Sequence, residues 1–388
     1  MLLIKPKIPL AWLQLTREKI RMLVALAGIA FACILMFMQL GFQDGLFDSA
    51  VLFHESVQGD IFLISPQSNA LIAMASFSQR RLYQTLGFDQ VESVSPMYLG
   101  FQLWKNPDTG RTRSIFVVGI DPSAQILQLP LLESDDLEQI KKSDIVIFDQ
   151  ASRAEFGPIA EKFNQGSLVT TEVGSRRIEV GGLFQMGATF GADGNIITSD
   201  LNFLRIFEDR EKGIIDVGII KLKPGADVES SLNQMRSQLP KDVKVFSKAE
   251  FVDFERQYWA ESTAIGFIFG LGTVMGFVVG IVIVYQILYT DVSDHLAEYA
   301  TLKAMGYTNR YLLGVVFQEA AILAFLGYIP AFILATVLYD LTQKATLLPI
   351  NMTVDRATLV MSLAFMMCFI SGAIAVRKLQ AADPADIF

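Results

Sequence analysis

Apolar residues along this 388-residue chain gather into four runs that contain no charged side chain, at 22–43, 262–290, 320–339 and 357–376. A helix needs about 20 residues to cross a ~30 Å hydrocarbon core, and each run reaches that length. An amphipathic helix of a water-soluble protein would show a charged or polar face every turn, and these runs show none. They predict transmembrane helices at 22–43, 262–290, 311–339 and 357–376.

Between the first two runs the pattern changes. Leu46, Ala50, Phe53 and Val57 recur at helical spacing and extend the first membrane helix outward as a stalk. A strand follows at 60–64 and a helix at 78–86. Two β-rich runs, 91–104 and 111–120, flank Asn106-Pro-Asp-Thr-Gly110, a turn-forming stretch that predicts a hairpin. Residues 121–204 are less regular, with strands at 144–148, 167–173 and 176–185 and a glycine-rich patch at 181–194, and are read as a subdomain. From 216 a strand (216–222), a turn with an N-cap at Asp227, a helix (228–239) and a strand (243–247) form a β–α–β unit. Residues 248–260 then read as a helix running into the second membrane helix. The fold class is an α-helical membrane protein with four transmembrane helices and a large extracytoplasmic α+β domain, 44–261, inserted between helices 1 and 2. Its two entry segments are either rods that carry movement across the bilayer or ordinary juxtamembrane helices.

Hydrophobic residues make up 52% of the chain and charged residues 19%, which excludes a disordered or collagen-like protein. The first apolar run is too long for a signal-peptide core and no small-x-small cleavage site follows it, so it is read as retained. Cys33 and Cys368 both fall in predicted membrane helices, so neither a disulfide nor a CxxC metal site is expected. Residues 1–21 carry Lys5, Lys7, Arg17, Lys19 and Arg21 against Glu18 alone, and Ile8, Trp12 and Leu15 make the segment amphipathic. The positive-inside rule places that end in the cytoplasm. Parity then makes 291–310 a cytoplasmic loop, 340–356 a periplasmic loop and 377–388 a cytoplasmic tail. Acidic side chains outnumber basic ones in 44–261, as in the whole chain (net charge −8), so a nucleic-acid partner is not expected.

Catalytic chemistry is hard to place. His54 and His295 stand apart from each other and from both cysteines, which argues against a metal site or an acid–base pair. HExxH, GxSxG and dinucleotide fingerprints do not occur. Lys142-Ser143 is not a phosphate loop, because Asp136 and Lys141 stand where glycines are required. No catalytic residue, metal or cofactor is therefore assigned to this chain, and ATP-driven work would need a second one. Glu319, at the edge of the third apolar run, is an intramembrane charge and a candidate proton relay. Gly272, Gly276 and Gly280 form a small-residue ridge, either a helix-packing or dimer interface or the ordinary tolerance of membrane helices for glycine.

The loop 291–310 carries the most informative segment, Glu298-Tyr-Ala-Thr-Leu-Lys-Ala-Met-Gly306. Leu302 and Met305 form a short apolar ridge between Glu298 and Lys303, and Gly306 is placed to end a helix. This segment resembles the E-I-x-x-L-R/K-A-L/I-G stretch of FtsX/MacB-type ABC transporter permeases, with Tyr299 in place of the usual aliphatic residue. Gln318-Glu319-Ala320 and the tail Arg377-Lys378…Ala382-Asp383-Pro384-Ala385 are similar to later motifs of the same family. Within it the chain most resembles the DevC permeases of cyanobacterial DevBCA-type exporters, since MacB carries a fused N-terminal ATPase and only a short segment precedes the first helix here. The resemblance implies a homodimeric, multi-pass protein of the bacterial inner membrane that binds no cofactor itself. It implies two copies of a separate ABC ATPase, carrying ATP and Mg, that contact Glu298, Leu302, Lys303, Met305 and Gly306. It implies a periplasmic membrane-fusion protein, a TolC-like outer-membrane duct and a glycolipid or similar lipid-like substrate. An FtsX-like regulator of a periplasmic enzyme would share the same coupling segment, and a proton-driven transporter would depend on Glu319 instead.

Overall fold

A computed structural model describes residues 10–189, 191–346 and 348–381. Lys5, Lys7 and Ile8, and the tail motif from Ala382 on, lie outside the described residues. The helices in chain order are α1 (Leu10–Arg17), α2 (Lys19–Ser56), α3 (Gln79–Gln84), α4 (Ser134–Gln139), α5 (Ile159–Asn164), α6 (Asp200–Ile206), α7 (Val228–Gln238), α8 (Lys248–Gln257), α9 (Ala264–Asp294), α10 (Leu296–Ala304), α11 (Asn309–Thr346) and α12 (Val354–Ala381). The strands are β1 (Ile61–Ile64), β2 (Phe77–Ser78), β3 (Val91–Lys105), β4 (Thr112–Ile120), β5 (Ile145–Asp149), β6 (Thr170–Val173), β7 (Arg176–Phe184), β8 (Asn195–Ser199), β9 (Ile214–Ile215), β10 (Val217–Leu222) and β11 (Lys244–Ser247). The described residues divide into two units: a helical one (10–45, 265–346 and 350–381) and an α+β one (46–189, 191–264 and 348–349).

Among the described residues, α2, α9, α11 and α12 are the four helices long and apolar enough to cross a membrane. Buried polar groups tie them together. The Tyr339 hydroxyl donates to the Phe37 carbonyl, joining α11 to α2. The Ser371 hydroxyl donates to the Ile281 carbonyl at 2.8 Å, joining α12 to α9. Arg356 is buried, donates to Asp44 at 2.6 Å and lies over the Tyr339 ring at 5.3 Å. In a lipid environment such bonds have few competitors, so each fixes the register of a helix pair.

The α+β unit is built on one nine-stranded sheet with the order β11-β1-β10-β3-β4-β8-β5-β7-β6. Alternating Val, Ile and Phe residues on both sheet faces explain why it is buried on both sides. β1 pairs antiparallel with β10 (Ile61↔Ile220) and with β11 (Ile61↔Ser247). β10 and β11 are therefore parallel, α7 connects them, and β1 sits between: the β–α–β unit is split. Asp227 caps α7 by accepting from the Ser230 N–H, as its position after the turn predicts. The β3–β4 hairpin turns where the Asn106 side chain accepts from Asp108 and Thr109 N–H and Gly110 takes φ +69°.

Residues 121–204 supply β5, β6, β7 and β8 to this same sheet, with β8 parallel to β4 (Phe116↔Asn195). β3 is long enough to meet β10 at one end and β6 at the other, where Trp104 faces Val173. That contact closes β3, β4, β8, β5, β7 and β6 into a ring around Trp104, whose indole N–H donates to the Phe156 carbonyl at 3.1 Å.

The two entry segments differ. α2 runs unbroken through Ser56, beyond the end of the apolar run. The second entry does not run unbroken into its membrane helix: α8 ends at Gln257, a wide π turn spans Tyr258–Ser262, and Thr263 is extended (φ −118°, ψ 160°) before α9 begins. The physical reason is local. The Trp259 indole is buried and donates back to the Glu255 carboxylate at 2.8 Å, which widens the turn, and β-branched Thr263 takes the extended backbone it favours.

Candidate functional site

Only His295 separates α9 from α10. The far end of α10 is set by Gly306 at φ +91°. Its N–H donates to the Lys303 carbonyl at 2.9 Å, and the Tyr307 N–H donates to the Leu302 carbonyl at 3.1 Å. These paired bonds are a Schellman stop, so Gly306 ends the helix as its sequence position predicts.

The faces of α10 divide its side chains. Tyr299 is 1% exposed, and Leu302 packs beside it against Val292, Val316 and Val376. Met305 is 64% exposed. The apolar ridge read from sequence is therefore split: Leu302 belongs to the interior and Met305 to the surface. Glu298 points outward and lies 3.7 Å from Arg17, and Lys303 is half-buried.

A polar cluster lies under this helix. Asp291, His295 and Tyr299 recur at four-residue spacing, so they share one side across the α9–α10 junction. His295 Nδ1 is 3.0 Å from the Asp291 carbonyl oxygen and 3.6 Å from its carboxylate. Glu319 is 0% exposed and its carboxyl lies against that of Asp291. The Tyr299 hydroxyl and Gln14 Oε1 are buried and face each other. Glu319 was singled out from sequence and Asp291 was not; the four-residue spacing from it to His295 and on to Tyr299 was the available signal.

The glycine ridge of α9 packs within the chain. A Cβ at Gly272 would meet the Gln39 side chain at 2.5 Å, and one at Gly276 would meet Met36 Cγ at 3.3 Å. One at Gly280 would lie 2.5 Å from Met367 Sδ and 3.0 Å from Ala32 Cβ. The ridge thus receives α2 and α12.

In the α+β unit, His54 is buried with its Nε2 3.5 Å from Glu255 Oε2. Glu255 also accepts from the Leu71 N–H at 2.7 Å, so one carboxyl joins the end of α2, the 65–76 loop and the Trp259 turn. Burial pushes this carboxyl up from 4.5 to about 7, against the pull of its bonds to Leu71 and Trp259. Among the described residues no group of three His, Cys, Asp or Glu side chains is placed to hold a metal ion. What the geometry offers is a mechanical handle: a short helix between two membrane helices, with Met305 exposed at its C-cap.

Two family models match this chain in tandem. Residues 22–238 match the MacB-like periplasmic core domain, more than half of the chain, and residues 262–384 match the FtsX-like permease C-terminal domain. The chain belongs to the FtsX/MacB-type ABC transporter permeases. Two uncharacterized ABC transporter permeases of Mycobacterium tuberculosis, from strains CDC 1551 and H37Rv, are each 23% identical to this permease over 221 residues. That match covers 56% of this chain, which spans 57% of the length of those relatives. Among solved structures, the periplasmic region of MacB from Actinobacillus actinomycetemcomitans aligns at 12% identity with a TM-score of 0.35, over 51% of this chain and 92% of that one. The extracellular domain of the Gram-positive transporter YknZ aligns at 14% identity with a TM-score of 0.34, over 49% of this chain and all of that one (100%). The α+β unit through α7 falls in the first family match, β11 and α8 lie between the two matches, and α9 to α12 fall in the second. The four spans and the family make the permease a multi-pass membrane protein.

Proposed function

We propose that this permease is the non-catalytic membrane subunit of an ATP-driven exporter and that α10 is where a separate ATPase docks. The observation that carries the reading is the surface of α10: a rigidly stopped helix between two membrane helices that exposes Met305 and Glu298. On this reading both termini and α10 are cytoplasmic, and the α+β unit is periplasmic. A second copy of the chain completes a dimer, and two ATPase copies carry ATP and Mg. Closure of the ATPase displaces α10, and the displacement reaches the α+β unit. That unit engages a membrane-fusion protein and, through it, a TolC-like duct. The cargo is a glycolipid or similar amphiphile, as in the DevC-like branch, taken from the outer leaflet or periplasm.

The test is Met305→Asp in the complex isolated from its native membrane. Met305 is exposed, so the change leaves packing intact, whereas Leu302→Asp would put a charge into the interior and confound the result. Loss of permease-dependent stimulation of ATP hydrolysis by about tenfold is expected, as for truncation of an interface anchor. Unchanged stimulation would overturn the docking assignment. Co-isolation of a wall hydrolase instead of a fusion protein would redirect the reading to an FtsX-like regulator.

A further inference from the structure

The helix α1 has eight residues, too few to cross a bilayer or to stand alone in water. It is held in place by burying Ala11 and Leu15 against α11, while Trp12 and Leu13 stay exposed. Its polar side chains, with those of the first turn of α2, reach one place only partly explained by membrane packing: the α9–α10 junction.

Before the junction, Arg21 donates to Asp294, the last residue of α9, at 2.6 Å. The same guanidinium lies 2.8 Å from Glu18, so it is fixed between two carboxylates. After the junction, buried Gln14 faces the Tyr299 hydroxyl, and Arg17 lies 3.7 Å from Glu298. A cavity of about 10 Å³, room for roughly one water, sits between Gln14, Arg21 and Asp291. The hinge itself is one residue, His295 (φ −93°, ψ 12°). Contacts on both sides of a one-residue hinge set its angle.

We propose that α1 and Arg21 form a bracket that fixes the angle of α10 to α9, with Arg21, Asp294 and Gln14 acting as positioning residues for ATPase engagement. The inference rests on the reading of α10 as the docking helix. The contacts do not contribute equally. Arg17 and Glu298 are 76% and 53% exposed, and such a pair at 3.7 Å contributes little. The Arg21–Asp294 pair is shorter and less exposed, and it anchors the element that the hinge starts from. Packing of Tyr299 and Leu302 against Val292, Val316 and Val376 holds the inner face of α10, and the bracket adds polar contacts on both sides of His295 to that packing.

The experiment is a double-mutant cycle in the full chain, with Cys33→Ala and Cys368→Ala and a nitroxide attached at Met305→Cys. Arg21→Gln and Asp294→Asn are each expected to increase nitroxide mobility in liposomes. Without the label, each is expected to lower stimulation of the co-isolated ATPase by about fivefold, and the double variant by no more than either single one. A merely structural role would lower the amount of folded chain without raising the mobility at position 305 in the chain that remains folded. Unchanged mobility in the single variants, or strictly additive losses, would overturn the bracket. Failure of the docking reading is separable: Met305→Asp would then leave stimulation intact while mobility still responded to Arg21→Gln.

Discussion

Glu255 shows how much one buried carboxyl can depend on pH. It is 2% exposed, lies in the α+β unit and is pushed up to about 7 by burial. Between 4.5 and about 7 the folded chain holds this proton and the unfolded chain does not. Stability from this group therefore falls as pH rises across that window, and the full cost of about 3 kcal/mol stands above it. Thermal unfolding of the sheet in detergent-solubilised full chain, followed by its β signal from about pH 5 to about pH 8, tests this. Wild type minus Glu255→Gln should show a midpoint difference that drops with rising pH; a flat difference would mean the carboxyl titrates normally. Little of this was legible in the sequence. His54 and Glu255 lie far apart in the chain, and only the pairing of β1 with β10 and β11 brings α2 and α8 together. Tyr299 was misleading for a related reason: it replaces an aliphatic residue, yet its ring takes the interior position and leaves Met305 outside.

At the scale of elements, runs with a dominant period were readable and pairings were not. The membrane helices, the β3–β4 hairpin and α7 follow from periodicity, Asn106-to-Gly110 turn chemistry and the Asp227 cap. β8 did not stand out, because its five residues follow a glycine-rich loop and their burial comes from neighbours distant in sequence. The helix contacts that matter most were also hidden. A Cβ at Gly41 would lie 2.5 Å from the Tyr339 ring, and that ring is pinned by its bond to Phe37 and by Arg356 over its face. At Gly272 the obstacle is the far end of Gln39, which can turn aside. Gly41→Ala should therefore destabilise the helical unit by about 1–3 kcal/mol, and Gly272→Ala by well under that. Comparing their thermal midpoints in one detergent checks the ranking; equal shifts would mean the Tyr339 ring can move.

For the whole molecule, everything mechanical depends on which side of the bilayer each unit occupies. The sequence argues it from charge: five basic groups before the first span, and an excess of acidic ones in the segment that follows. On the proposed reading, parity over four spans puts α10 on the same side as the N-terminus and the α+β unit on the other. The hydropathy pattern made the number of spans legible, because burial in lipid leaves a compositional mark that needs no tertiary partner. Sidedness leaves a weaker one, since loops 291–310 and 340–356 carry few basic groups each. A cysteine-free chain, made by replacing buried Cys33 and Cys368 with alanine, can carry one reporter at a time. Met305→Cys should react with a membrane-impermeant maleimide only in inverted vesicles, and exposed Lys241→Cys only in right-side-out ones. Both positions reacting from the same side would invert one unit relative to this scheme, and an ATPase docked on α10 could then no longer drive work across the membrane.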